Sequence, residues 1–196
     1  IIRVSSAALC FFDFRQITKS ANQRIAVVGN IPYNISSPLL FHLLSFRDVI
    51  HSFVLMMQKE LIDRLIAVPG NKQYGVPSVI LQMFAAVERV MNIPATFFYP
   101  RPKVESSVMK GVFLDQPVMK LNNEEFFVRL VRDSFAQRRK MLLNNLKKSK
   151  WMDGLDESLL HETLTRCGID PQRRGETLSV EEFGELSNRL AEKVAK

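Results

Sequence analysis

Cysteine is scarce in this 196-residue chain. Cys10 and Cys167 stand far apart with no C-x-x-C pair, which excludes a disulfide framework and a zinc-finger spacing. Histidine is as sparse: His42, His51 and His161 are isolated, so packing or surface roles and no metal site are expected. Long apolar runs are missing too. The stretch Phe53 to Met57 falls far short of the roughly 18 residues that span a bilayer, and neither a signal peptide nor a lipidation motif is present. A cytoplasmic protein with no membrane partner is expected. Acid is short relative to base, with 20 Asp and Glu against 27 Lys and Arg, a net charge of +7 and a pI near 9.6. That imbalance points to a polyanionic partner. Repeats and low-complexity tracts are absent, and 46% hydrophobic content excludes disorder as the main state. At ~100 to 200 residues per domain, the length allows one domain or two small ones.

What is there alternates between strand and helix. Arg24 to Val28 is a β-branched run closed by Gly29, the pattern of a buried parallel strand. Ser36 and Ser37 precede Pro38 and an apolar face through Leu44, which predicts a Ser-capped helix. Ser52 to Met57 reads as a strand, Lys59 to Ala67 as a helix, Val76 to Val87 as a helix, and Arg89 to Ile93 and Ser106 to Phe113 as strands. The alternation argues an α/β sheet whose last strands are antiparallel. After Pro117 the texture turns helical. Asn123 can cap Glu124 to Ala136, Gln137 to Lys148 continues helically, Ser158 to Cys167 stops at Gly168, and Ser179 with Glu182 forms a capping box. The predicted organisation is an α/β domain over 1–116 and a small all-helical domain over 117–196.

The charge is concentrated. Residues 129–150 hold Arg129, Arg132, Arg138, Arg139, Lys140, Lys147, Lys148 and Lys150 against Asp133 alone, and so carry the entire net charge. At about 100° per residue, most of these side chains share one arc opposite Phe127, Leu130 and Val131. Arg138 and Leu143 violate the pattern, so the helix is expected to break near Ala136 and Gln137. A solvated helix face is the common reading of a short charge run. Because this run holds the whole surplus, contact with RNA phosphates is expected, with Arg101 and Lys103 extending the track.

The densest chemistry lies in Asn30, Ile31, Pro32 and Tyr33, directly after the Val27–Val28 strand, where parallel sheets bind ligands. Taken alone, such a tetrapeptide is more often a tight turn with an aromatic plug. Here it sits between a buried strand and a helix start. The exocyclic amine of adenine is a poor nucleophile because its lone pair is delocalised into the ring. The Asn30 side-chain oxygen and the Ile31 carbonyl can each accept one amine hydrogen and turn the lone pair outward, while Pro32 stiffens the loop. Tyr33 offers a face for an unstacked base.

These residues, with Phe98 to Ser106 (F-x-P-x-P-K-V), Phe135 to Leu146 and Arg174 to Phe183, resemble the KsgA-type ribosomal RNA adenine dimethyltransferases, relatives of the Erm enzymes and of a mitochondrial transcription factor. The resemblance spans nearly the whole chain. It implies a Rossmann-like class I methyltransferase domain, S-adenosylmethionine as methyl donor, and two adjacent N6,N6-dimethyladenosines near the 3′ end of 16S rRNA as product. Small-subunit rRNA or the 30S precursor would be the partner, with a role in small-subunit maturation and a monomeric enzyme. By resemblance Asn30, Pro32 and Tyr33 hold the target adenine and Phe98 forms the second wall of its pocket. The family's glycine-rich loop and ribose-gripping acid are expected upstream of Ile1, and its Asp-Ala cofactor contact falls near Ala7 and Ala8, with Ala7 where Asp is expected. Arg174, Gly175 and Glu176 stand where the family has Arg-Ala-Glu, a minor change on this reading. Two rival readings share the fold: a non-catalytic RNA-binding, transcription or assembly factor, and an Erm-like enzyme acting on large-subunit rRNA.

Overall fold

Burial alternates along the apolar runs, and that alternation builds a sheet. The structure, a computed structural model, describes residues 1–4, 12–18, 24–149, 151 and 156–194. Five strands form one sheet in the order β1-β2-β3-β5-β4: β1 Ile2–Val4, β2 Ile25–Asn30, β3 Ile50–Gln58, β4 Ala85–Ile93 and β5 Ser106–Phe113. β1, β2 and β3 run parallel, whereas β5 pairs antiparallel with both β3 and β4. The sheet is therefore mixed α/β. Phe53, Leu55 and Met57 of β3 are buried on one face, and Phe53 packs on Phe113 of β5 with ring centroids 5.2 Å apart. Opposite Phe53 in the ladder stands Gly111, where a Cβ would overlap the Phe53 ring. Glycine is the residue that lets this aromatic lie flat across the neighbouring strand.

Helix α1 spans Arg15–Thr18 and α2 spans Ser36–Ser45, whose Leu39, Leu40 and Leu43 are buried. Phe14, itself fully buried, packs edge-on against Phe46 just beyond α2, and the His42 ring nitrogen lies 2.8 Å from the Phe12 carbonyl. The α2 start differs from its sequence reading. Neither serine caps it; the Ser36 hydroxyl instead donates back to the Pro32 carbonyl at 3.2 Å. Helix α3 covers Lys59–Leu65, and its Asp63 pairs with Lys59 and with Arg89 of β4. The helix predicted over 76–87 is shorter: α4 is Val76–Phe84, and Ala85 to Val87 already belong to β4, where each faces β5. Ladder pairing outweighs the helical spacing of those three residues.

By compactness the chain divides into two units, Ile1–Ile66 with Phe84–Asp115, and Ala67–Met83 with Gln116–Lys196. In the second, α5 is Glu124–Ser134, α6 Leu142–Leu146, α7 Glu157–Arg166 and α8 Val180–Val194. The predicted caps are made: Asn123 accepts from the Phe126 amide, and Ser179 and Glu182 bond each other's backbone N–H at 3.1 and 2.7 Å. Gly168 ends the α7 turn at φ +71°, a conformation with no steric cost for glycine. The helix predicted over 137–148 does not form as one piece. The break expected near Ala136 and Gln137 is there: residues 135–140 are a turn, braced by Asn145 Nδ2, which donates to the carbonyls of Ser134 (2.9 Å) and Gln137 (3.2 Å). No helix among the described residues is long and apolar enough to cross a membrane.

Candidate functional site

β2 carries the chain to the carboxyl end of the parallel strands and releases it there. Asn30 is the last residue in register with β3, opposite Met56, and the Ile31 amide donates to the Met56 carbonyl at 3.0 Å. Pro32 has no N–H to continue the ladder, so the chain leaves the sheet and folds into a 3-10 turn over Tyr33–Ile35. The Pro32 carbonyl takes two donors, the Ile35 amide at 3.1 Å and the Ser36 hydroxyl. Both bonds tie the start of α2 back to the loop.

Asn30, Tyr33, Met56 and Phe98 line an open cleft of about 490 Å³ together with Ile31, itself only 1% exposed. That volume is in the ~300 to 1,000 Å³ range of small-molecule sites. Tyr99, Pro100 and Pro102 complete the rim. None of the lining side chains is charged, which suits a flat neutral group better than a phosphate. The Asn30 carboxamide has no hydrogen-bond partner among the described residues, so both of its polar atoms are available to a ligand. Tyr33 is held by its hydroxyl, 2.8 Å from the Ser106 hydroxyl, while 36% of the residue remains exposed. Ser106 is 1% exposed at the start of β5 and so fixes the phenol from within the sheet.

The structure thus brings Asn30, Ile31, Pro32, Tyr33 and Phe98 together across more than 60 residues of sequence. Ala7 and Ala8 lie outside the described residues. Arg101 and Lys103 are exposed beyond the Phe98 rim and make no ion pair among the described residues. Met56 and Ser106 were not singled out from sequence. Ser106 ends the F-x-P-x-P-K-V segment, and its spacing from Phe98 was the available signal; Met56 gave none.

The basic block sorts into two kinds. Arg138 donates to the Tyr74 carbonyl (2.9 Å) and to Glu176 (3.0 Å), Lys147 pairs with Glu157 (2.6 Å), and Arg129 pairs with Glu125. Arg132, Arg139, Lys140 and Lys148 are exposed with no carboxylate partner among the described residues. Lys150 lies outside those residues. Asp133, the lone acid of the block, accepts from the Trp151 indole at 2.7 Å. Beside Arg138, Gly175 packs so closely that a Cβ would stand 2.7 Å from the Ser134 carbonyl. Glycine in place of the family's alanine is therefore a packing requirement of this chain rather than a minor change.

The sequence profile of the ribosomal RNA adenine dimethylase family matches residues 6–192. The chain belongs to that family. Among curated relatives, the proteins named ribosomal RNA small subunit methyltransferase A of Bacillus mycoides (strain KBAB4) and Bacillus cereus (strain B4264) are each 49% identical over 168 residues, 86% of this chain. The chain spans 58% of the length of those relatives. A crystallised dimethyladenosine transferase from Plasmodium falciparum superposes with a TM-score of 0.75 at 26% identity, over 86% of this chain and 67% of that one. The 23S rRNA methyltransferase ErmE shares the fold, with a TM-score of 0.63 at 20% identity over 86% and 66% of the two chains.

Proposed function

We propose that this chain is the adenine-holding part of an S-adenosylmethionine-dependent rRNA adenine N6-dimethyltransferase, built on a Rossmann-like class I methyltransferase domain followed by a helical RNA-engaging domain. Its substrate is the pair of adjacent adenosines near the 3′ end of 16S rRNA, and its partner the maturing 30S subunit, which it meets as a monomer in the cytoplasm. One observation supports this above the others: an uncharged cleft at the carboxyl end of β2 has Tyr33 and Phe98 in its lining together with the Asn30 carboxamide. Relatives named for the small subunit favour 16S over large-subunit RNA.

An adenine extruded from its stack enters between Tyr33 and Phe98, and stacking of ~1 to 3 kcal/mol per base offsets part of the extrusion cost. The Asn30 oxygen and the Ile31 carbonyl accept the two N6 hydrogens. They draw the nitrogen toward tetrahedral and expose its lone pair. When bound, S-adenosylmethionine supplies an electrophilic methyl group on sulfur. Asn30 would contact that donor, with a further contact near Ala7 and Ala8 implied by the resemblance, and the cleft lining has no carboxylate for its ribose. Arg132, Arg139, Lys140 and Lys148 hold RNA phosphates, helped by Arg101 and Lys103.

Asn30→Ala in the enzyme carrying this chain tests the reading. Methyl transfer is expected to vanish while RNA affinity stays within about threefold, because the carboxamide orients one amine and affinity comes from phosphate contacts. Turnover near that of the parent protein would overturn it.

A further inference from the structure

We infer that Tyr99 is a stacking platform for the nucleobase adjacent to the target adenine, so that the site reads a dinucleotide step of single-stranded RNA rather than one base. The inference rests on the adenine reading of the cleft above. Tyr99 is 101% exposed, its ring wholly in water, yet it belongs to the rim of the cleft that Asn30, Tyr33 and Phe98 line. A lone exposed aromatic needs no explanation. This one has a context. Through residues 98–103, Phe98 and Pro102 are half-buried at the cleft, whereas Tyr99, Pro100, Arg101 and Lys103 are exposed. Arg101 and Lys103 have no carboxylate partner among the described residues.

An aromatic interleaved with unpaired cations is the arrangement that binds single strands, the ring taking a base face and the cations the backbone. Pro100 and Pro102 fix φ on either side of Arg101, so the strip is ordered in advance and little entropy is lost on binding. Phe97, 78% exposed on the turn Ala95–Phe97, does not line the cleft and has no part in this. Once the target base leaves its stack, its neighbour loses a stacking partner as well. A ring at the rim replaces it. Because stacking strength grows with base overlap, a purine neighbour is favoured over a pyrimidine.

The test is a set of three thermodynamic cycles on the chain, using a hexaribonucleotide with one adenosine between two guanosines at low salt. Affinity is measured for the intact RNA, for RNA abasic at the adenosine, and for RNA abasic at either guanosine, with the parent chain, Tyr99→Leu and Tyr99→Phe. Tyr99→Leu is expected to weaken intact RNA by about fivefold to tenfold, a fraction of the stacking range, with Tyr99→Phe near the parent. One guanosine-abasic RNA should bind Tyr99→Leu and the parent equally, while the adenosine-abasic RNA keeps the Tyr99→Leu loss. If removing adenine costs the parent nothing, or if no RNA binds, the adenine reading fails and the platform with it. If adenine removal costs affinity but Tyr99→Leu loses the same factor on every RNA, or none, the platform alone is overturned.

Discussion

Tyr33 performs two tasks that a substitution can separate. Its ring faces the cleft, and its hydroxyl meets Ser106, which is buried in β5. Tyr33→Phe keeps the ring and loses only the bond that orients it, so methylation is expected to slow by less than about tenfold. Tyr33→Leu keeps apolar bulk but loses the stacking face, and a loss of ~1 to 3 kcal/mol of base stabilisation predicts a further slowing. Single-turnover rates check both; equal rates for Tyr33→Leu and the parent would show that no base sits there. Asn30 and Tyr33 were legible in the sequence because their chemistry lies in adjacent residues after a buried strand. The Ser106 brace was not, since it depends on β5 lying next to β3. Elsewhere, Glu182 shows a residue whose charge matters to stability. Its hydrogen bonds from Arg173 hold the carboxyl below its ordinary range, against the opposing effect of burial, with the Ser179 amide adding to the lowering. A depressed folded value means that this stability is present above the unfolded value of about 4.5 and is lost as pH falls through the folded one. Thermal melts are therefore expected to drop below about pH 4.5. Glu182→Gln should lower the neutral-pH melt and flatten that drop; an unchanged acid slope would remove Glu182 from the account.

Among the elements, spacing served where local chemistry decides and failed where a distant partner does. The Asn123 cap, the Ser179 and Glu182 capping box and the β5 boundaries all follow from neighbouring residues. The violated pattern at Arg138 marked a break near Ala136 and Gln137, but not what holds the turn over 137–140: Asn145 donates to the carbonyls of Ser134 and Gln137, and the Leu142 amide donates to the Arg173 carbonyl. No periodicity shows those bonds. They also divide the basic block by role. Arg138 is a strut from its turn to the Tyr74 carbonyl and Glu176, whereas Arg139 and Lys140 beside it are free for phosphate. Arg138→Gln is expected to lower the melting temperature with little effect on RNA binding. Arg139→Gln with Lys140→Gln should leave the melt unchanged and flatten the dependence of log K on log salt by ~0.7 to 0.9 per lost contact. Salt titrations and melts on the same variants separate the two. The reverse pattern would exchange the assignments.

At the scale of the whole molecule, net charge and cleft pull toward one ligand by different means. The surplus of +7 lies in residues 129–150 of the second unit, while the uncharged cleft lies in the first. On the proposed function, affinity for RNA and recognition of a base would be separable properties of one chain. The methyl donor is a third property, and these 196 residues are poorly equipped for it. A class I fold grips its donor with a glycine-rich turn and an acidic side chain after its first strands; this sequence has no G-x-G, and the resemblance puts Ala7 where an Asp is expected. The 196-residue chain alone is accordingly expected to bind structured RNA measurably at low salt, yet to show no saturable heat with S-adenosylmethionine at millimolar ligand. Filter binding reads the first and calorimetry the second. Tight donor binding would mean that residues other than Asn30 to Tyr33 and Ala7 to Ala8 form the cofactor site. Loss of RNA binding with an intact melt would return Arg132, Arg139, Lys140 and Lys148 to the status of a solvated face.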